Sequence, residues 1–279
     1  MTRERAAAHE AGAVNPAGPV HPTGAEPQPG AGRPLPAGAF AATGEPGTRR
    51  PLIGVIGGMG PLASTELLNT VYGLEPPEHE QLAARILLWS DPAVADRTTA
   101  IRSGTVDLVR TALEASVDRL LTAGADRVVV ACITAHPAIR LLPERLRSRC
   151  VSLVDLVFEQ LAERPGRHLV LCTRGSVLAG VFTDHERWPE FAHRLVLPDE
   201  EDQEQLHEHI YRLKRNADRL PTIDFVRALL PAYGAAAFVA GCTELHLVTR
   251  AIEDRGLTRQ LPSIDPMTVI AQRIRDGAL

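Results

Sequence analysis

RVVVACITAH, residues 127–136, places a cysteine directly after a short run of apolar, β-branched residues. Such a run is typical of a buried parallel strand. A second stretch in the other half of the chain, AAFVAGCTELH at residues 236–246, repeats the order of apolar run, cysteine, threonine and histidine. Ligands of α/β proteins bind at the carboxyl ends of parallel strands, so we expect Cys132 and Cys242 to face one crevice from two related halves.

The chain from residue 51 onward alternates short apolar runs with stretches of helical periodicity, which indicates mostly parallel sheets flanked by helices. The predicted strands cover residues 52–56, 85–89, 127–131, 168–172, 195–197 and 236–240. The predicted helices cover residues 63–72, 103–123, 137–146, 202–214 and 222–230. Because the landmarks recur in the same order in both halves, we predict an α/β fold of two similar lobes. An approximate two-fold axis relates them, and the site lies at their interface.

Three parts are predicted along the chain. Residues 1–50 are dominated by Ala, Gly and Pro, so they are predicted to form a disordered extension that buries too little apolar surface to fold. Lobe 1 is predicted to comprise residues 51–153 together with 255–279, and lobe 2 residues 154–254.

Composition indicates the class of protein and its partners. The net charge is −4 and the pI about 6.2, which disfavours nucleic acid or an anionic membrane surface as a partner. The Ala/Gly/Pro-rich start lacks the apolar segment of a signal peptide. Four cysteines could form two disulfides, but the absence of a secretory signal favours a reducing compartment. We therefore predict a cytoplasmic protein whose thiols are available for chemistry.

Two opposed thiols are suited to taking a proton from one face of a carbon and returning one to the other. A carbon acid beside a carboxylate is weak, so its deprotonation needs a fixed base and stabilisation of the enolate charge. A thiolate serves as that base where dipoles or cations lower its pKa. Alternatively, each cysteine is a small buried apolar residue, although the matched pair favours catalysis. A zinc site of Cys132, His136, Cys242 and His246 is disfavoured, since structural zinc uses closer cysteine pairs.

Further candidate residues lie outside the two cysteine segments. The loop GGMGP at residues 57–61 either brings backbone amides to an anionic group or is a plain tight turn. Arg97, predicted in the loop after the second strand, either binds a carboxylate or is an ordinary surface arginine. Lys214 is the only lysine in the chain, which favours a role that needs a compact ammonium. His136 and His246 are predicted to have structural roles.

Several short motifs carry a resemblance to a known family, the pyridoxal-phosphate-independent aspartate/glutamate racemases. From residue 52 to the end, the sequence resembles that family in these segments, which occur in the family's order: GVIGGMGP (54–61), ADRT (95–98), ACITAH (131–136), TRGS (173–176), LPDEEDQ (197–203), IYRLKRN (210–216), GCTE (241–244) and ID (264–265).

The resemblance implies two α/β lobes, usually in a homodimer, and a site that binds a small carboxylate substrate without cofactor or metal. It implies Cys132 and Cys242 as the opposed acid and base. By matched position, Thr134 and Thr243 hold the α-carboxylate, and Arg97 and Lys214 hold the side-chain carboxylate of an acidic amino acid. The other substrate-binding residues implied are Met59, Gly60, Thr173 and Glu244.

One residue departs from the family's pattern. Ile133 stands where the family has asparagine after the first cysteine, and an apolar side chain there removes hydrogen-bonding groups from the reacting end. The leading prediction is a cofactor-independent racemase or epimerase of an acidic amino acid. The alternative is a specialised isomerase, lyase or cyclase that uses the same thiols on another carboxylate. A non-catalytic ligand-binding protein is disfavoured because both thiols and both cations are retained.

Overall fold

The computed structural model describes residues 50–74 and 78–279. The extension predicted over residues 1–50 therefore lies outside the described residues, apart from Arg50. The strands of the described chain are β1 (Leu52–Gly57), β2 (Arg85–Ser90), β3 (Arg127–Val130), β4 (Cys150–Val151), β5 (His168–Leu171), β6 (Leu195–Val196), β7 (Ala237–Ala240) and β8 (Ser263–Ile264). The α-helices are α1 (Pro61–Gly73), α2 (Arg97–Arg102), α3 (Val106–Thr122), α4 (His136–Arg140), α5 (Glu144–Arg147), α6 (Leu153–Glu163), α7 (Arg174–Leu178), α8 (Trp188–Phe191), α9 (Glu200–Lys214), α10 (Leu220–Ala232), α11 (Leu245–Asp254) and α12 (Pro266–Asp276).

The strands form two four-stranded sheets with the same internal order. The first sheet runs β2-β1-β3-β4 and the second β6-β5-β7-β8, and every strand pair is parallel. Each strand of the second sheet thus occupies the position of its counterpart in the first. The predicted α/β fold of two similar lobes with parallel sheets is confirmed.

The position of strand β8 differs from the predicted lobe boundaries. The sequence predicts residues 255–279 in lobe 1, but Ile264 of β8 pairs with Val239 of β7 in the second sheet. Helix α12, which follows β8, packs against α1 of the first lobe and against α6. The carboxyl-terminal segment is therefore shared, with its strand in one lobe and its helix against the other.

An apolar core joins the two lobes. Val55 and Val129 of the first sheet and Val170 and Val239 of the second belong to one buried cluster, which also contains the inner faces of α6 and α12. Phe158 of α6 is fully buried within it. Separate clusters fill the outer faces of the two sheets, under α3 in the first lobe and under α9, α10 and α11 in the second. The shared core fixes the carboxyl ends of β3 and β7 relative to each other.

One predicted helix is divided in two. The periodicity predicts a helix over residues 137–146, whereas the structure has α4 and α5 separated at Pro143. Proline has no backbone N–H and disfavours helical geometry in the residue before it, so the first helix stops and a new one begins.

No helix in residues 50–74 and 78–279 combines the length and apolar character needed to span a bilayer. All four cysteines are free thiols. Burial raises the pKa of Cys150 to about 11 and that of Cys172 to about 12, so both are protonated at neutral pH.

Candidate active site

The glycine loop after β1 forms one wall of the site. Gly58 has a φ of 87°, and a Cβ there would lie 2.3 Å from the backbone of Asp91, so only glycine fits. A Cβ on Gly60 would lie 2.0 Å from Glu244 Oε1, so the missing side chain at residue 60 leaves room for that carboxylate. The Met59 side chain is buried in the first-lobe core. The backbone of Met59, and not its side chain, therefore faces the site residues.

Arg97 lies beside the first cysteine. It is the first residue of α2, which corrects the prediction that it lies in a loop, and Asp96 caps the helix by accepting the Thr99 N–H at 2.9 Å. The guanidinium donates to the carbonyls of Met59 and Ala95. Burial lowers the pKa of Arg97, but the nearby Cys132, Asp96 and Glu244 outweigh burial and raise it above its ordinary value. The Arg97 Nε has no hydrogen-bond partner among the described residues.

Cys132 and Cys242 occupy matching places, two residues beyond the ends of β3 and β7. Both are buried, with 4% and 3% of their surface exposed. Cys242 Sγ donates to Glu244 Oε2 at 2.8 Å. Burial, followed by the negative charge of Glu244, raises the pKa of Cys242 well above its ordinary value, and Lys214 opposes that rise. The two thiols therefore have different surroundings, a cation beside Cys132 and a carboxylate beside Cys242.

Lys214, at the end of α9, links the two cysteine segments. Its Nζ lies 3.8 Å from Glu244 Oε1 and 4.6 Å from the centre of the Tyr211 ring. Burial lowers the pKa of Lys214, but the nearby Glu244 carboxylate, followed by the two cysteines, outweighs burial and raises it. Cys242 Sγ and Lys214 Nζ both approach the Glu244 carboxylate, and Thr243 Oγ1 reaches the carbonyl next to Cys132. We refer to Cys132, Cys242, Arg97, Lys214 and Glu244 as the thiol cluster.

Tyr211 supports this cluster although the sequence pattern assigns it no role. Its hydroxyl donates to Asp96 Oδ2 at 2.8 Å, while Lys214 lies over its ring. Burial raises the pKa of Asp96, but the Thr99 N–H, Tyr211, Lys214 and Arg97 outweigh it and hold that pKa below its ordinary value. The signal available in the sequence is spacing, because residues 211 and 214 share one helix face.

The threonines are buried and bonded to protein groups. Thr134 Oγ1 lies 3.0 Å from Thr173 Oγ1, and Ser176 Oγ lies 3.1 Å from both oxygens. Thr243 Oγ1 donates to the Ala131 carbonyl at 3.2 Å, which ties the second cysteine segment to the end of β3. Ser176 is an addition to the predicted set, on the same turn of α7 that Thr173 caps.

Ile133 faces the shared core. Its side chain is 1% exposed and packs in the apolar cluster between the sheets. Its carbonyl accepts from His136 Nδ1 at 2.9 Å. An asparagine side chain in this orientation would place its amide among apolar groups.

His246 is fully buried and bonded at both ring nitrogens, to Asp265 Oδ2 at 2.7 Å and to Thr70 Oγ1 at 2.8 Å. His136 bonds at one nitrogen only, and burial lowers its pKa to about 4. Among the described residues, neither ring hydrogen-bonds to Cys132 Sγ or Cys242 Sγ, so neither histidine is arranged to tune a thiol. Within residues 50–74 and 78–279, no group of three or more His, Cys, Asp or Glu side chains is placed to hold a metal ion.

Comparison with known proteins places this site in a family. Residues 56–274 match the family model for Asp/Glu/Hydantoin racemase. The fold is similar to that of the Picrophilus torridus aspartate racemase, with a TM-score of 0.70 and 24% identity over 82% of this chain and 94% of that chain. It is also similar to a glutamate racemase isoform from Bacillus anthracis (TM-score 0.56, 16% identity, 80% of this chain and 80% of that chain). An allantoin racemase from Pseudomonas fluorescens matches with a TM-score of 0.51 and 14% identity, over 81% of this chain and 90% of that chain. The match to the family model covers most of the chain, which therefore belongs to the Asp/Glu/Hydantoin racemase family.

Proposed function

We propose that this protein is a racemase or epimerase of an acidic amino acid that moves the Cα proton between two thiols and needs no cofactor. Membership of the racemase family supports an isomerase of this type. The observation that carries the finer proposal is the cluster itself. Two buried cysteines follow equivalent strands of the two lobes, and Thr243, next to Cys242, donates to the Ala131 carbonyl next to Cys132 at 3.2 Å.

The charges of the cluster favour a substrate with two carboxylates and one ammonium. Arg97 is buried and the Lys214 side chain is 19% exposed, and carboxylates pair strongly with cations where little water reaches them. Glu244 is 2% exposed and its Oε1 has no hydrogen-bond partner among the described residues. A substrate ammonium that donates to Glu244 Oε1 would satisfy that oxygen. In this proposal Thr134 and Thr243 hold the α-carboxylate.

The two thiols have different neighbours, and in this proposal Cys242 starts as a thiol that donates to Glu244. Cys132, with the cation Arg97 beside it, is the base in this direction of the reaction. For one enantiomer, the Cys132 thiolate takes the Cα proton and leaves an enolate whose charge develops on the α-carboxylate, where Thr134 and Thr243 stabilise it. The Cys242 thiol then gives its proton to the opposite face of Cα. The reverse reaction starts from a Cys242 thiolate and a Cys132 thiol, and no atom is gained or lost.

The test is proton NMR in deuterium oxide with purified protein and each enantiomer of aspartate and glutamate. We expect loss of the α-proton signal together with formation of the opposite enantiomer. Activity that survives dialysis against EDTA and treatment with hydroxylamine supports independence from metal and pyridoxal phosphate. A folded protein that exchanges no α-proton in any of the four substrates contradicts the proposal.

A second function is favoured by Ile133. Ile133 stands where the family pattern has asparagine, and its side chain packs in the shared core, so residue 133 offers the site no side-chain amide. A specialised isomerase, lyase or cyclase that applies the same thiols to another carboxylate fits a site without that amide. The same NMR experiment distinguishes the two, because this alternative predicts no racemisation of aspartate or glutamate. A screen of substituted carboxylates for thiol-dependent turnover then tests it.

We further propose that the protein acts in the cytoplasm as a homodimer, without nucleic acid or membrane as a partner. Sedimentation equilibrium of the full chain tests the assembly, and a monomer across the working concentration range contradicts it.

A further inference from the structure

A cleft of about 580 Å³ lies beside β4 and the start of α6, apart from the cysteine cluster. Its walls come from α4, from the segment around β4 and from residues 184–186. None of Cys132, Arg97, Lys214 or Glu244 lines it. Its volume falls in the range of about 300–1,000 Å³ that is typical of small-molecule sites.

His136 lines this cleft and has an unused acceptor. Its Nδ1 donates to the Ile133 carbonyl at 2.9 Å, so the ring proton is on Nδ1 and the lone pair is on Nε2. That Nε2 has no hydrogen-bond partner among the described residues, and the side chain is 6% exposed. Since buried polar atoms are nearly always paired, an unpaired acceptor that lines a cavity indicates a ligand with a hydrogen-bond donor. With its pKa lowered to about 4 by burial, the ring is neutral at pH 7 and remains an acceptor.

The second histidine of the cleft is already satisfied, which makes His136 distinctive. His185 Nε2 donates to Asp155 Oδ1 at 2.8 Å, and its Nδ1 accepts the Arg187 N–H at 3.2 Å. His185 and Asp155 are therefore already paired with each other. Of the two histidines that line the cleft, His136 is the one with an unpaired acceptor.

Charged groups of both signs surround that acceptor. Asp184 and Glu186 line the cleft with carboxylates, which favour a cationic donor. Arg140 lines it with a guanidinium, and Ser152 and Val154 bring the N-terminus of the eleven-residue helix α6 to it. A helix N-terminus and an arginine both favour a carboxylate. The lining thus suits an ammonium and a carboxylate on one small molecule.

We propose that this cleft is a second binding site, for a zwitterion of one or two amino-acid residues. Its ammonium donates to His136 Nε2 and faces the acidic rim, and its carboxylate lies between Arg140 and the N-terminus of α6. This site is independent of the reaction at the two thiols, so it can be tested whether or not the racemase proposal holds.

The experiment follows the ring nitrogens of His136 by NMR in full-length protein labelled with ¹⁵N-histidine. The probe is glycylglycine, and its matched controls are N-acetylglycine, which lacks the ammonium, and glycinamide, which lacks the carboxylate. We expect glycylglycine to shift the His136 Nε2 signal to lower frequency along a saturating curve. Each control should bind about tenfold more weakly or worse, because a hydrogen bond or pairing to a charged group is lost.

Two variants test the same site by calorimetry. His136→Asn keeps a side-chain N–H for the Ile133 carbonyl but removes the Nε2 acceptor, and it should weaken glycylglycine binding about tenfold or more. Arg140→Gln changes an exposed residue that should not affect folding, and it should also weaken binding. A His136 signal that does not move, equal binding by glycinamide, or unchanged affinity in both variants would each overturn the proposal.

Discussion

Asp265→Ala should destabilise the protein severely, although Asp265 lies outside the thiol cluster. The carboxylate is 6% exposed and receives several donors. Its Oδ1 accepts the Met267 N–H at 2.9 Å as the cap of α12. Its Oδ2 accepts from His246 Nδ1 at 2.7 Å, from Thr268 at 3.1 Å and from Thr249. One side chain therefore joins α11, which begins just after Cys242, to α12.

The size of the loss follows from these contacts. Removing a helix cap costs about 1 kcal/mol. Leaving His246 and its neighbours as unpaired donors in the core costs about 2–4 kcal/mol more, so the expected total is about 3–5 kcal/mol. For a domain of this size that lowers the Tm by about 6–20 °C. Urea unfolding followed by circular dichroism measures the difference. Asp276→Asn, an exposed carboxylate on the same helix, is the control and should change the free energy of unfolding by less than about 0.5 kcal/mol.

The pH dependence gives a second check. Burial raises the pKa of Asp265, but the bonds from His246, Thr249 and Met267 outweigh burial and hold it below its ordinary value. The stability contributed by the carboxylate is therefore fully present above the unfolded-state pKa of about 3.9, and it is lost as pH falls through the lower folded-state value. The difference in the free energy of unfolding between the wild type and Asp265→Ala should become smaller as the pH is lowered from 5 towards that value. If Asp265→Ala lowers the free energy of unfolding no more than the Asp276→Asn control does, the reasoning is refuted.

Three further changes test the cluster around the thiols. Lys214→Met should lower kcat/KM for a dicarboxylic substrate by about 10- to 100-fold in steady-state kinetics, because a charged hydrogen bond is lost. Arg215→Met is the control: it changes the exposed neighbouring residue and should leave kcat/KM unchanged. Tyr211→Phe keeps the ring under Lys214 but removes the hydroxyl that donates to Asp96. The free energy of unfolding, measured by thermal unfolding, should fall by about 1 kcal/mol, and KM should rise modestly. The negative charge of Glu244 adds to burial in raising the pKa of Cys242, so Glu244→Gln should lower that pKa. In the reaction direction that uses Cys242 as the acid, the alkaline limb of the profile of kcat/KM against pH should therefore move to lower pH. An unmoved limb would contradict that role for Glu244.

Periodicity and spacing were sufficient to predict the fold. The runs at residues 127–131 and 236–240 are short and mostly apolar, with three consecutive valines in the first, and they form central strands of parallel sheets. The two-residue strands β4 and β8 are too short to show a pattern, which is why the pairing of β8 with the second sheet could not be read from sequence. Helix α2 was also missed because only six residues follow its Asp96 cap.

The cluster around the thiols was predictable only in part. The repeated setting of Cys132 and Cys242 marks both residues, and Glu244 is only two residues from Cys242, but no pattern shows that its carboxylate turns back to accept from that thiol. The contact of Lys214 with Glu244 depends on how α9 packs beside the turn after β7, and the contact of Thr243 with Ala131 depends on the packing of the two lobes. Spacing along the chain encodes neither. The orientation of the Ile133 side chain also depends on tertiary packing. We expected its side chain at the reacting end, whereas it packs in the shared core, so Ile133→Asn would bury an amide there at a cost of about 1–3 kcal/mol.

The most direct test of the central claim is α-proton exchange in deuterium oxide by Cys132→Ser and Cys242→Ser, each with both enantiomers of the acidic amino acid that the wild type racemises. If each thiol serves one face of Cα, both variants lose racemisation. Any residual exchange should then favour opposite enantiomers in the two variants. Full racemisation by either variant, or residual exchange with the same preference in both, would contradict the two-thiol account.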